Sequence, residues 1–308
     1  MKIENQECKN INFEKFDDKI GINGYHELIR NCFFPNSTKN SFDISGFSAE
    51  EFIYRKGTIF SRVRKISHDD AIKFHCGDIE INDFYPPKPT KVNVPIGRFN
   101  KKNKPVLYVA DNPEIAIKEC DVIDGDYYLL TFLKLRKDMC FLKIGQHDTD
   151  YRSQIIFNLL STKDKKFYPL INLIYSDFLC FEKHHGIAYD STKVTELRAD
   201  GNISNIESTL NIAIKNEYFV DVGLDTSLLA YMHNGQARYH SIFTPLSNKK
   251  RNKIKCINYL GNKKSFIDNF MQTEVRMHNE KYKNKLLLEK GNFQKFDETP
   301  IKLTVKNN

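Results

Sequence analysis

Short apolar strands and short helices alternate along this 308-residue chain without a regular strand–helix–strand period. A doubly wound parallel sheet needs crossover helices at even intervals, so the pattern predicts a mixed α+β fold instead. The clearest strand spans 58–64, where Ile59, Ser61 and Val63 alternate with Phe60, Arg62 and Arg64. A period of two places both arginines on one face. Segments 105–110, 127–135, 138–144, 186–192 and 210–214 read as further strands. Helices are expected at 48–52, from a Ser48 cap and early acids, and at 113–120, opened by Asn112-Pro113-Glu114. Two more are expected across 151–182, the second over 168–182. The last starts at 266–271 and continues as a polar face through 280–285. Segment 83–89, with Pro86, Pro87 and Pro89, cannot hold a regular ladder.

Charge is unevenly placed. The whole chain carries 47 Lys plus Arg against 39 Asp plus Glu, a net of +8. Residues 241–308 hold 15 basic and 6 acidic residues, a net of +9, while 1–240 hold 32 and 33, a net of −1. A balanced body argues against a nucleic-acid-binding core and leaves the basic tail as a partner or targeting surface. No run approaches the roughly 20 apolar residues that cross a bilayer. The first residues, Met1-Lys2-Ile3-Glu4, lack the apolar stretch of a signal peptide, so a cytoplasmic protein is expected. Seven cysteines, at 8, 32, 76, 120, 140, 180 and 256, have no Cys-x-x-Cys spacing. They are expected to be reduced, buried thiols rather than disulfide or zinc partners. His184 and His185 are adjacent and do not share a helical face, so no metal site is expected from them.

Three islands carry residue types suited to chemistry. Arg62 and Arg64 on one strand face form a potential bidentate clamp for phosphate. Gly97-Arg98-Phe99-Asn100 is a turn in which Gly97 permits close backbone approach and Arg98 and Asn100 offer donors; Tyr108, on the next strand, can stack on a flat ring. Glu119 sits at the far end of its helix, where the dipole gives a carboxylate no support, and Ala116 one turn earlier leaves room beside it.

In order, Phe60-Ser61-Arg62-Val63-Arg64, Pro86-Pro87, Gly97-Arg98-Phe99-Asn100, Leu107-Tyr108-Val109-Ala110, Ala116-Ile117-Lys118-Glu119 and Gly186-Ile187-Ala188-Tyr189-Asp190-Ser191 resemble the RES domain. That family is named for an Arg, a Glu and a Ser, which match Arg62, Glu119 and Ser191. Asn211-Ile212-Ala213-Ile214 is similar to the Asn-apolar strand that closes the domain. Phe99 stands where many members carry Trp, and the chain is longer than compact RES toxins, like the larger branch of the family.

The resemblance implies an ADP-ribosyltransferase-like split mixed sheet with flanking helices. The expected segments are a helical and loop extension over 1–54, the RES domain over 55–225 and a basic extension over 226–308. It implies an NAD⁺ glycohydrolase, toxin or defence effector, that cleaves the nicotinamide–ribose bond, with NAD⁺ as substrate and no cofactor or metal. In that reading Glu119, Arg62 and Ser191 are catalytic, and Arg62, Arg64, Arg98, Asn100, Tyr108 and Gly97 bind NAD⁺. The implied partner is a cognate antitoxin or regulatory protein. Two alternatives stand beside it: transfer of ADP-ribose to a protein, and nucleic-acid binding through the basic tail. No Gly-x-Gly-x-x-Gly follows a strand, so redox use of NAD⁺ is not expected.

Overall fold

The apolar run 127–135 becomes the middle of a large sheet. Its residues are buried on both faces, as a strand covered from both sides must be. The computed structural model describes residues 11–35, 46–47, 50–90, 93–180, 182–194, 209–246, 253–287 and 299–300. In chain order the strands are β1 (Gly46–Phe47), β2 (Glu50–Tyr54), β3 (Ile59–Ile66), β4 (Leu107–Ala110), β5 (Tyr127–Leu135) and β6 (Met139–Ile144), then β7 (Gly186–Asp190), β8 (Leu210–Ile214), β9 (Val222–His233), β10 (Gln236–Pro245), β11 (Ile254–Asn258) and β12 (Thr299–Pro300). The helices are α1 (Gly21–Phe33), α2 (His68–His75), α3 (Pro113–Glu119), α4 (Tyr151–Leu160), α5 (Tyr168–Ile174) and α6 (Lys263–Leu287). A π-helical turn, Tyr175–Leu179, continues α5.

Ten strands form one mixed sheet in the order β11-β10-β9-β5-β3-β4-β8-β7-β6-β2, and β1 pairs with β12 apart from it. Among the described residues only β6 and β7 run parallel, and the other pairings of this sheet are antiparallel. The sheet has a weak point. β3 pairs with β5 along its whole length, from Ile59 to Ile66, yet it meets β4 through the single pair Ser61↔Ala110. Two five-strand halves are thus joined at one residue pair, and β3 beyond Ser61 has no ladder on its β4 side.

Three apolar clusters follow from the alternation. On one face, α1, α4 and α5 pack Ile29, Phe33, Ile156 and Ile171 onto Leu142, Ile187 and Tyr189. On the same face of the other half, α3 and α6 place Ile115, Phe266 and Met277 against Val63, Leu130 and Leu228. The opposite face gathers Phe60, Phe84, Leu129, Leu133 and Ile212.

Most expected strands lie where the sequence pattern puts them, and the mixed α+β class is observed. One helix expectation is corrected. Residues 50–54 are an edge strand paired with β6, not a helix, because alternating Glu51 and Ile53 against Cys140 and Leu142 contributes a ladder that a short isolated helix lacks. The segment after 225 holds strands that the sequence reading did not anticipate. Residue 225 lies inside β9, which pairs with β5 from Val222 to Tyr231, and β10 and β11 extend the same sheet. Residues on both sides of 225/226 therefore share one sheet, and part of the basic tail is core-bearing structure. Cys76, Cys120, Cys140, Cys180 and Cys256 are free. Among the described residues no helix is long and apolar enough to cross a membrane.

Candidate active site

Helix α3 is short and tightly specified. Asn112 caps it by accepting a hydrogen bond from the Glu114 amide at 2.9 Å, and Pro113 occupies its first turn. Ile115 and Ala116 are buried beside β3, so the helix end is fixed and Glu119 emerges half-buried at the seam between the two sheet halves. There Ser191 Oγ donates to Glu119 Oε1 at 2.6 Å, and Asn211 Nδ2 donates to the same oxygen at 2.7 Å. Glu119 Oε2 carries no hydrogen bond among the described residues. The Lys193 ammonium caps the Glu119 carbonyl at 3.0 Å and pairs with Asp121 at 2.7 Å.

Ser191 lies just past β7, 2% exposed, and its oxygen is fully engaged. It accepts from the Lys193 and Val194 amides at 3.2 Å each while its proton goes to Glu119. A hydroxyl with its proton donated and its lone pairs covered is a poor nucleophile and a good carboxylate clamp. Asn211, on β8, plays the complementary part, a role the sequence motif did not announce.

The Gly97–Asn100 turn is a scaffold. Asn100 is buried, its amide donating to the Pro95 carbonyl at 2.7 Å and its carbonyl accepting from Tyr108 Oη at 3.2 Å. Tyr108 Oη also accepts from the Phe99 amide at 2.8 Å. Burial raises the Tyr108 phenol well above its ordinary value, so it remains a neutral donor. A Cβ at Gly97 would sit 2.0 Å from Asn100 Oδ1, and the Gly97 carbonyl accepts from Asn172 Nδ2 at 2.8 Å. Gly97, Asn100 and Tyr108 thus hold one another, and the residue that the turn presents is Arg98.

Arg98 is flanked by aromatic rings, its guanidinium 5.8 Å from the Tyr189 centroid and 6.0 Å from that of Tyr168. Burial disfavours its charge, but Tyr189, Tyr168 and Glu119 outweigh that and raise its pKa. Burial raises the Tyr189 phenol and keeps it protonated. Arg98 Nε is buried and has no hydrogen-bond partner among the described residues.

Arg62 and Arg64 share the face of β3 that carries Phe60, as the alternation predicts. Arg62 Nη1 reaches the Phe84 carbonyl at 3.4 Å, and Arg64 lies 5.7 Å from the Phe74 ring centroid. Burial, with the neighbouring Arg64 charge, pushes Arg62 down to about 10; burial also lowers Arg64, against Asp83 and Asp70. Both stay cationic at neutral pH, and among the described residues neither forms a salt bridge. The cations and Glu119 lie on opposite faces of β3, beside the edge where β4 departs. Cys120 links them: its thiol donates to the Val63 carbonyl at 3.3 Å, and both Arg62 and Glu119 act on it electrostatically. A cavity of about 490 Å³, lined by Pro113, Ile117, Phe132, Leu228 and Phe270, lies between α3, α6 and the sheet, and none of the expected site residues lines it.

Comparison of the chain with protein-family models, curated sequences and solved structures returned no match. The functional reading therefore rests on the motifs and on this geometry.

Proposed function

We propose that the chain is an NAD⁺ glycohydrolase of the RES kind, and that Glu119 is its catalytic carboxylate. The observation that carries this reading is the state of Glu119: one oxygen is held by Ser191 and Asn211 while the other carries no hydrogen bond among the described residues. Cleavage of the nicotinamide–ribose bond leaves the bonding electrons on nicotinamide and develops positive charge on the ribose carbon and ring oxygen. A fixed carboxylate stabilises that charge, as in glycoside cleavage. Water then bonds to the ribose carbon and loses a proton, giving ADP-ribose. Ser191 and Asn211 are positioning residues that aim Glu119.

The under-compensated guanidinium groups of Arg62 and Arg64 suit the pyrophosphate, since an anion would restore the balance that burial disturbs. Arg98, between two tyrosine rings, suits the nicotinamide ribose side. Gly97, Asn100 and Tyr108 act on the substrate through Arg98. The single-pair junction of β3 and β4 fits the split sheet of ADP-ribosyltransferase-like folds, whose cleft takes the dinucleotide. The resemblance supplies the toxin or defence role and an antitoxin-like restraining partner.

The test is turnover of NAD⁺ by the purified chain, with products separated. Free nicotinamide and ADP-ribose are expected, with Glu119→Gln lowering kcat by about 100- to 1,000-fold. Arg62→Ala is expected to raise KM about 10-fold or more. Full activity in Glu119→Gln would remove the carboxylate mechanism, and label recovered on polypeptide would redirect it to ADP-ribosyl transfer.

A further inference from the structure

Away from Glu119, at the β2 edge of the sheet, three metal-ligating side chains converge. Glu51 comes from β2, Cys140 from β6 and His184 from the turn before β7, three consecutive strands of the sheet. Glu51 is 2% exposed and His184 1%, burial rare for a carboxylate or an imidazole without a strong partner. His184 Nε2 lies 2.8 Å from Glu51 Oε1, and Cys140 Sγ lies 3.9 Å from Glu51 Oε2. One donor atom from each residue falls within 4.8 Å of the others.

We infer that Glu51, Cys140 and His184 form a binding site for a zinc-class divalent ion that staples the β2–β6–β7 edge of the sheet. The donor set is one thiolate, one imidazole and one carboxylate, the ligand chemistry of zinc. Tetrahedral zinc holds such ligands about 3.3–3.7 Å apart, a spacing that the observed 2.8 and 3.9 Å bracket. A fourth position is left for water.

A cation already stands against the carboxylate. The Lys183 ammonium, on a half-exposed side chain, pairs with Glu51. It neutralises a buried carboxylate in the metal-free protein, and its long stem lets it swing to solvent when an ion enters. Ion binding displaces the Cys140 thiol proton as the sulfur–metal bond forms. The site makes sense where it is. β6 and β7 run parallel, β2 is the last strand of the sheet, and one ion would tie all three.

The experiment is titration of the full-length chain with Co²⁺, whose thiolate charge-transfer absorption reports a cysteine ligand. One equivalent is expected to bind with that band, Zn²⁺ is expected to displace it, and Cys140→Ser is expected to abolish it. Lys183→Met, which changes a half-exposed residue and leaves all three ligands in place, is expected to bind about 10-fold or more tightly because the competing ammonium is gone. In a parallel thermal melt, Zn²⁺ raises the midpoint of the wild type and not that of Cys140→Ser. Absence of the band in both wild type and Lys183→Met, or a band that persists in Cys140→Ser, would overturn the site. NAD⁺ turnover plays no part in this readout, so its outcome is independent of the glycohydrolase reading.

Discussion

At the scale of single residues, position matters more than identity. Glu119 and Glu51 are both partly or wholly removed from water, and their partners give them different roles. Ser191 and Asn211 hold one oxygen of Glu119 and leave the other open, while Glu51 is closed in by His184 and Lys183. The second arrangement has a pH signature. Burial holds His184 below its ordinary 6.5, against Glu51; for Glu51, burial raises the pKa, but bonds to Lys183 and His184 bring it below 4.5. Both folded values lie beneath their unfolded ones, so the unfolded chain binds more protons and stability falls as pH falls. Melting midpoints in chelator-containing buffer are expected to drop from about pH 6.5 downward, with a further loss below 4.5. His184→Gln should flatten the first part of that slope; an unchanged slope would show that other groups dominate. Arg62, Glu119 and Ser191 stand out in the sequence because each sits in a motif, and the structure joins two of them through the Ser191–Glu119 hydrogen bond. Asn211 as the second clamp on Glu119 was visible only as a polar break in an apolar strand, and the Glu51–Cys140–His184 cluster spans 133 positions and left no local trace.

Elements show where local signals suffice. Helix α3 has an Asn cap, a proline in its first turn and two buried apolar residues, and it forms where those signals place it. With only seven residues, it depends on that cap. Asn112→Ala is expected to cost about 1 kcal/mol and lower the melting midpoint by roughly 2 °C. Under the proposed glycohydrolase function it should also slow NAD⁺ turnover, since Glu119 lies at the far end of the same helix; a turnover unchanged beside a lowered midpoint would separate the helix from the proposed catalysis. Local signals failed at β2, where Ser48 and two glutamates suggest a helix start. The competing term was the ladder to β6, which a window of five residues cannot register. They failed again at β9, whose residues are buried on both faces and so lack the polar–apolar alternation that marks a half-exposed strand.

For the whole molecule, the ten-stranded sheet decides what counts as a unit. A chain ending at 225 would lose most of β9 and all of β10 and β11, exposing the edge of β5 and stripping Leu228 and Ile242 from the cluster around Leu130. Such a truncation is expected to be unfolded or aggregated by circular dichroism and size-exclusion chromatography. A soluble, NAD⁺-cleaving 55–225 fragment would show instead that the segment folds alone. By itself the sequence determined the α+β class, most strands, the facing of Arg62 and Arg64 and the motifs around Glu119 and Ser191, because these depend on periodicity and on neighbours a few residues away. Tertiary structure alone decided the strand order, the one-pair junction at Ser61 and Ala110, the convergence of Ser191 and Asn211 on Glu119 and the buried cluster at Glu51. Each of these joins residues far apart in the chain, and such contacts are set by how faces pack together, which no local pattern encodes.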